Sequence, residues 1–511
     1  MIYAILFLIL PLFSAFLAPV GSLVRTKFGN ILNILIYAAG IVVGVSILRE
    51  MDNGGLNIVL GGWRAPFGIS LYLSTLSVGF GLVIYLLAIC IHVSELGKGR
   101  SGRYNLLFSL FVFASLGMIQ TGDLFNLFIF IEIGSIAVIA LTPATNERAG
   151  TRGALKYLVP SGLLSMLMLA SIALLYSSLG TLNIAHIASS EPLNGALGLV
   201  LGVGMLAVFF FETELFPFNS WVPDVYRGAS SSFAAAIAGI GGLSGAVALG
   251  RMFLTMMGEL TSFQFAHSSL LLVVFMVAVA SILVGEIAAL RERDLKRVLA
   301  FSSVGQMGIV ALTFSVGGMN GLYAGLFLLL NHSIVKPMLL IIAGFFVGVT
   351  KKATWDEMNG VGRQYPLFGA LFILGGLSLV GMPIFAGFWA KLILLKALFD
   401  GMSLLAGIGA GVVLLSIIIE GVYFLRIGHC LFERDEENDK GERPVEIGRA
   451  PARDAVFAFI PVIVLALLTV VLGLRPGLVS TFLKSASSDL LHTTGYIQNI
   501  LVTLSTVGGG L

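Results

Sequence analysis

Seven ionisable side chains stand inside long apolar stretches of this 511-residue chain: Glu132, Glu212, Glu214, His332, Lys336, Lys391 and Glu420. A charged group at bilayer depth is costly, and it is kept where it faces a protein interior or a water path. Glu132 is the plainest case, near the middle of the apolar run 124–140. Lysines and a histidine in such places can take up and release protons. Carboxylates can do the same, or hold a hard cation such as Na⁺. His332 and Lys336 are one helical turn apart and share a face, with Pro337 immediately after. Glu212 and Glu214 are two residues apart, so on a helix they point about 200° from each other.

The elements that position these groups follow from composition. The chain is 57% hydrophobic and 11% charged, with a mean hydropathy of +1.00. Soluble domains carry about 25% charged residues. The fold class is therefore an all-α integral membrane protein. A net charge of +3 gives no reason to expect nucleic acid as a partner. Cys90 and Cys430 supply neither a disulfide framework nor metal-ligand spacing, so no cofactor is expected in the chain. The apolar N-terminus reads as a first span, because no small-residue cleavage site follows a basic start.

A span needs about 20 apolar residues. Fourteen stretches qualify, near 2–20, 29–48, 70–92, 104–121, 124–142, 157–177, 196–216, 231–250, 268–290, 298–316, 320–349, 367–398, 404–427 and 454–473. Lys and Arg cluster in alternate loops: Arg25 and Lys27; Lys98, Arg100 and Arg103; Arg148, Arg152 and Lys156; Arg291, Arg293, Lys296 and Arg297; Lys351, Lys352 and Arg363. The positive-inside rule then puts the odd-numbered loops in the cytoplasm and both termini outside. The stretch 433–443 reads as a solvated polar loop. Two spans contain proline breaks, at 210–224 and 381–391. Such breaks persist in membranes only where protein or trapped water satisfies the backbone. They lie five spans apart, which suits two inverted five-helix repeats, spans 4–8 and 9–13. The expected division is 1–103 for the first three spans, 104–255 for the first repeat, 256–430 for the second, and 431–511 for the polar loop, last span and tail. Asp123 and Glu286 lie near helix ends and are expected at the interface. The small-residue stretch 234–246 is expected to serve close helix packing.

Six strings appear in order: Ala-Leu-Lys-Tyr-Leu (154–158), Gly-Thr-Leu-Asn (180–183), Trp-Val-Pro-Asp-Val-Tyr-Arg-Gly-Ala (221–229), Asp-Leu-Lys-Arg-Val-Leu-Ala-Phe-Ser-Ser-Val-Gly-Gln-Met-Gly (294–308), Asn-His-Ser-Ile-Val-Lys-Pro-Met-Leu (331–339) and Gly-Met-Pro-Ile-Phe-Ala-Gly-Phe-Trp-Ala-Lys (381–391). Over residues 70–430 the chain resembles the antiporter-like subunits of respiratory complex I and the D-type subunit of Mrp cation/proton antiporters. The same family supplies subunits to membrane-bound hydrogenases and related archaeal sulfur-reducing complexes. The resemblance implies fourteen helices, two inverted repeats and a hydrated polar axis across the membrane plane. On that axis Glu132 matches the glutamate of the fifth span, His332 and Lys336 the polar pair of the eleventh, and Lys391 the lysine of the broken twelfth. Lys296 matches the basic residue before the tenth span.

The departures are specific. Members of the family usually carry a lysine nine residues before the Trp-Xxx-Pro motif, and counting back from Trp221 reaches Glu212. A second lysine, in the eighth span, would fall near Gly242 or Leu243. So Glu132 is expected to approach Glu212 rather than a lysine. Two close carboxylates do not both ionise cheaply and titrate as a pair, sharing a proton or holding Na⁺ between them. Glu420, outside the quoted strings, is expected to be an exit carboxylate or the partner of a nearby lysine. The resemblance implies an ion-translocating subunit that is not catalytic alone. Its partners would be other antiporter-like and small Mrp-type membrane subunits, with a redox module attached indirectly, in a lipid bilayer. The alternative is a spacer that keeps the fold without pumping, for which the two missing lysines speak.

Overall fold

The computed structural model describes residues 2–24, 26–51, 55–60, 68–97, 100–144, 147–257, 261–433, 448, 452–491 and 497. Arg25, Lys98 and nearly all of the expected polar loop 433–443 lie outside the described residues. Helices dominate: α1 (Ile2–Val24), α2 (Thr26–Glu50), α3 (Thr75–Glu95), α4 (Gly102–Gln120), α5 (Leu124–Leu141), α6 (Glu147–Leu179), α7 (Ile184–Ser189), α8 (Gly195–Glu212), α9 (Val222–Gly228), α10 (Ser231–Ala236), α11 (Gly242–Arg251), α12 (His267–Arg291), α13 (Leu295–Val316), α14 (Gly318–Thr350), α15 (Val361–Gln364), α16 (Pro366–Val380), α17 (Ala386–Asp400), α18 (Leu404–Phe432), α19 (Ala452–Leu474) and α20 (Gly477–Leu491). Among the described residues, 13 helices are long and apolar enough to cross a bilayer. One of these 13, Ser231–Met256, joins α10 to α11 through a π-helical turn at Ile237–Gly241 and ends in another at Met252–Met256. α16 and α17 have 15 residues each, about 22 Å of helix, too short to cross alone. They flank residues 381–385, within the stretch 367–398 expected to form one span.

Both proline breaks are real interruptions. α8 stops at Glu212, and the chain turns through Glu214 in a left-handed conformation (φ 63°) before α9. α16 stops at Val380, and the chain passes through Gly381 (φ 89°) and Ile384 (φ 87°) before α17. Left-handed backbone is strained for any residue with a Cβ, and such strain concentrates at functional sites. Each half also carries a matching β-bridge. Asp123, before α5, pairs with Asn183, after α6, and Asp294, before α13, pairs with Thr354, after α14. The two bridges span the same separation in sequence. Each aspartate also caps its helix: Asp123 accepts from the Asn126 amide at 2.8 Å, and Asp294 from the Lys296 and Arg297 amides at 3.1 and 3.2 Å. Asp123 is thus a buried capping residue. Burial pushes the Asp294 carboxyl up, against the opposing pull of the Arg297 amide and the Arg227 guanidinium.

The Ser231–Met256 span, α13 and α14 form the buried centre. α1, α2, α6 and α19 lie outside and turn exposed leucines, phenylalanines and methionines outward, as lipid-facing helices do. Helix contact depends on small residues at the seams. A methyl group on Gly308 of α13 would sit 2.9 Å from the Ile282 amide nitrogen and 3.0 Å from the Ala278 carbonyl of α12. The stretch 234–246 is buried nearly throughout, and a Cβ on Gly239 would meet the Ser333 carbonyl of α14 at 3.1 Å.

Two elements go beyond the expected organisation. An antiparallel hairpin joins β1 (Leu56–Val59) to β2 (Ser70–Leu73). α20 occupies the tail and docks on α3, where Asp489 accepts from the Leu76 amide at 3.0 Å. α20 is short and rich in serine, so a search for apolar spans passes over it. Gly308→Leu is expected to destabilise the purified chain by about 1–3 kcal/mol through overpacking. Gly411→Leu, at a site with no atom within 4 Å of the added Cβ, is the control. Equal thermal stability of the two variants would refute the close α12–α13 seam.

Candidate functional site

The second half of the chain holds a compact charged centre. The break after α16 leaves carbonyls at the helix end without intrahelical donors. Lys391, one turn into α17, donates to two of them, Leu379 at 2.6 Å and Val380 at 3.2 Å. The negative end of the α16 dipole thus faces an ammonium group, the favourable sense. The same nitrogen lies 3.0 Å from Glu420 Oε2 on α18, and both side chains are essentially inaccessible. Gln306 of α13 donates its amide to both oxygens of Glu420, at 2.9 and 2.8 Å. Glu420 is therefore the partner of a lysine, one of the two roles expected for it.

Lys336, on α14, has no carboxylate in contact among the described residues. It donates to the Leu299 carbonyl of α13 at 3.0 Å. His332, one turn earlier, is buried with neither ring nitrogen in a well-formed hydrogen bond, and it faces the Ala238 backbone in the π-helical turn. A π-turn carries an extra residue, a feature frequent at functional sites. Glu214 accepts from the Tyr226 hydroxyl at 2.6 Å through one oxygen, and its other oxygen has no partner. Lys336 lies within electrostatic range of Glu214. The strained break after α8 thus aims a carboxylate toward the middle of α14. Lys296 is set apart: it donates to the Ala229 carbonyl at 2.6 Å and the Arg227 carbonyl at 3.3 Å, at the C-terminal end of α9.

The first half is looser. Glu132 is half-buried and accepts from the Ser165 hydroxyl of α6. Glu212, also half-buried, accepts from the Tyr157 hydroxyl at 3.4 Å, and that hydroxyl lies 3.2 Å from Ser135 of α5. The two carboxylates are within electrostatic range of each other but share no hydrogen bond. The expected approach is therefore indirect, with Tyr157 standing at Glu212 and Ser165 holding Glu132. Glu214 takes its hydrogen bond from Tyr226 and not from a member of this pair. Among the described residues, no group of three or more His, Cys, Asp or Glu side chains is arranged to hold a metal ion.

Sequence reasoning missed Gln306, Tyr157 and Tyr226, although all three sit inside the quoted strings. Nothing in their type marks them in an apolar helix. Glu286 is a correction. Its place five residues before the end of α12 suggests the interface, yet it is wholly buried.

With this geometry in view, the family can be stated. The family model described as NADH:quinone oxidoreductase/Mrp antiporter, TM, matches residues 121–418, and the chain belongs to that family. It is 31% identical over 484 residues to NADH-quinone oxidoreductase subunit N of Desulforudis audaxviator, covering 92% of this chain and 95% of that one. It is 26% identical over 505 residues to the D-type subunit of the Na(+)/H(+) antiporter of Bacillus subtilis, covering 97% and 99%. A chain of the membrane-bound sulfane sulfur reductase, an archaeal respiratory membrane complex, superposes with a TM-score of 0.87 at 29% identity, covering 98% and 99%. The protein is an antiporter-like, multi-pass membrane subunit, and its structural relatives work inside multi-subunit membrane complexes.

Breaking a buried ion pair from one side strands a charge and typically costs about 3–5 kcal/mol, whereas replacing both partners is far milder. Lys391→Met is therefore expected to destabilise the chain more than the double variant Lys391→Met/Glu420→Leu. Thermal unfolding in detergent checks this, and additive losses would contradict a coupled pair.

Proposed function

We propose that this chain translocates protons, Na⁺ or both inside a larger respiratory or Mrp-type complex. The observation that carries the reading is the fully buried Lys391–Glu420 pair, gripped by Gln306 and by the carbonyls of a broken helix. A structural core has little need of such a group, since apolar residues of similar volume often stabilise as well or better. Placed at a break, the ammonium can exchange a carboxylate partner for backbone carbonyls at small cost. The axis proceeds from Glu214 past His332 and Lys336 to Lys391 and Glu420, with Glu132 and Glu212 as a separate first-half group. Energy reaches the axis from partner subunits, since a charge displaced at one station changes the proton affinity of the next.

The first half favours a second reading. Among the described residues no lysine meets Glu132, whose hydrogen-bond donor is Ser165, and a spacer could tolerate that arrangement. The intact second half weighs against it. The division into two inverted repeats, spans 4–8 and 9–13, is supported by the paired breaks and paired bridges.

In the intact complex, Lys391→Ala is expected to abolish coupled transport and Glu132→Ala to reduce it. Wild-type proton and Na⁺ fluxes in both variants would leave the spacer reading. Glu212→Gln separates the ions: a raised Na⁺ requirement assigns Na⁺ to the first half, and an unchanged one removes that idea. For orientation, the basic loops are proposed to be cytoplasmic and both termini outside. A thiol introduced at Lys352 should then be labelled by an impermeant reagent only in inverted vesicles, and labelling in right-side-out cells would reverse the topology.

A further inference from the structure

Glu286 is a wholly buried acidic side chain of the second half to which this axis gives no role. It is fully buried on α12, and both of its carboxylate oxygens lack a well-formed hydrogen bond. The carboxylate lies directly over Gly305 of α13, in space that a Cβ there would occupy. Gly305 therefore admits Glu286, while its neighbour Gln306 holds Glu420. The hydroxyl of Tyr423, on α18, stands between Glu286 and Ser302. The Tyr423 and Ser302 oxygens are buried too, and neither meets hydrogen-bond geometry. Four unpartnered oxygens thus collect in one place. Buried polar atoms of this kind are ordinarily satisfied by ordered water.

The charges point the same way. Glu420, Lys391 and Lys336 all lie within electrostatic range of Glu286. Glu420 is matched by direct contact with Lys391. That leaves Lys336, which donates to a carbonyl and has Glu214 as well as Glu286 within electrostatic range, and Glu286, which has no ion pair among the described residues. As an ammonium and a carboxylate they would be two buried charges held apart, each losing hydration without the full Coulomb return. Moving one proton from Lys336 to Glu286 converts both to neutral groups. The N–H bond at Lys336 Nζ breaks, an O–H bond forms at Glu286, and the lysine keeps its electron pair.

We propose that Glu286 is a proton-carrying residue between Lys336 and the Lys391–Glu420 pair, reached through water held at Tyr423 and Ser302. The inference rests on the transport reading above. It makes the seam between α12, α13 and α18 a station of the axis rather than packing alone.

The test uses the intact complex reconstituted in vesicles, with Glu286→Gln, Glu286→Asp and Lys391→Ala compared. Glu286→Gln keeps the shape and removes the titrating oxygen. It should slow proton transport on the order of a hundredfold, the usual worth of a positioned proton-transfer group, while the complex assembles normally. Glu286→Asp should restore part of the rate. A deuterium-sensitive infrared band of a protonated carboxyl should be absent from Glu286→Gln and altered in Lys336→Met. A wild-type rate in Glu286→Gln beside a dead Lys391→Ala would overturn the role of Glu286 and leave the transport reading standing. Wild-type rates in both would overturn the two together. If Glu286→Gln does not assemble, Tyr423→Phe carries the test: slowed transport supports the station, and an unchanged rate overturns it.

Discussion

The cost of placing charge where water is scarce shapes this molecule. Lys391 and Glu420 are buried together at 3.0 Å, and each needs further partners to be tolerated. Those partners dictate structure. Two carbonyls must be left free, so the twelfth span breaks after Val380. An amide must reach both carboxylate oxygens, so Gln306 of α13 faces α18. Small residues must let α12, α13 and α18 approach, so glycines line the seam.

The two halves solve the same problem differently. In the second, Lys391 and Glu420 are in direct contact and fully buried, and Lys336 donates to a backbone carbonyl. In the first, Glu132 and Glu212 are each held by a hydroxyl and are half-buried. The break after α8 turns Glu214, two residues beyond Glu212, into the centre, where Tyr226 receives it. The left-handed backbone at Glu214 is what separates neighbours in sequence into different environments. Glu214 of the first half thus lies within electrostatic range of Lys336 of the second.

Much of this is legible in the sequence. Apolar run length locates the spans, because a bilayer sets that length physically. Proline marks both breaks but does not decide them alone, since Pro11, Pro160, Pro337 and Pro461 lie inside continuous helices. Intramembrane charge marks Glu132, Lys336, Lys391 and Glu420, because hydration is so hard to replace. What escapes shares one cause: it depends on which helices touch. Glu286 and a surface glutamate near a helix end look identical in sequence, and only the α12–α13 contact distinguishes them. Gln306 and Tyr157 carry no charge to announce them. A direct Glu132–Glu212 contact is the natural expectation from a substituted position, and the rotation of α8 does not deliver it. α20 is amphipathic and short, and its position follows from docking on α3.

The central claim is that charge moves through the Lys391–Glu420 centre. Electrical recording of charge displacement on a solid-supported membrane, comparing the wild-type complex with Glu420→Gln, addresses it most directly. With Glu420 neutralised, Lys391 keeps its carbonyls but loses its exchangeable partner. The transport current through this chain is then predicted to vanish while the complex stays assembled. An undiminished current would contradict the claim.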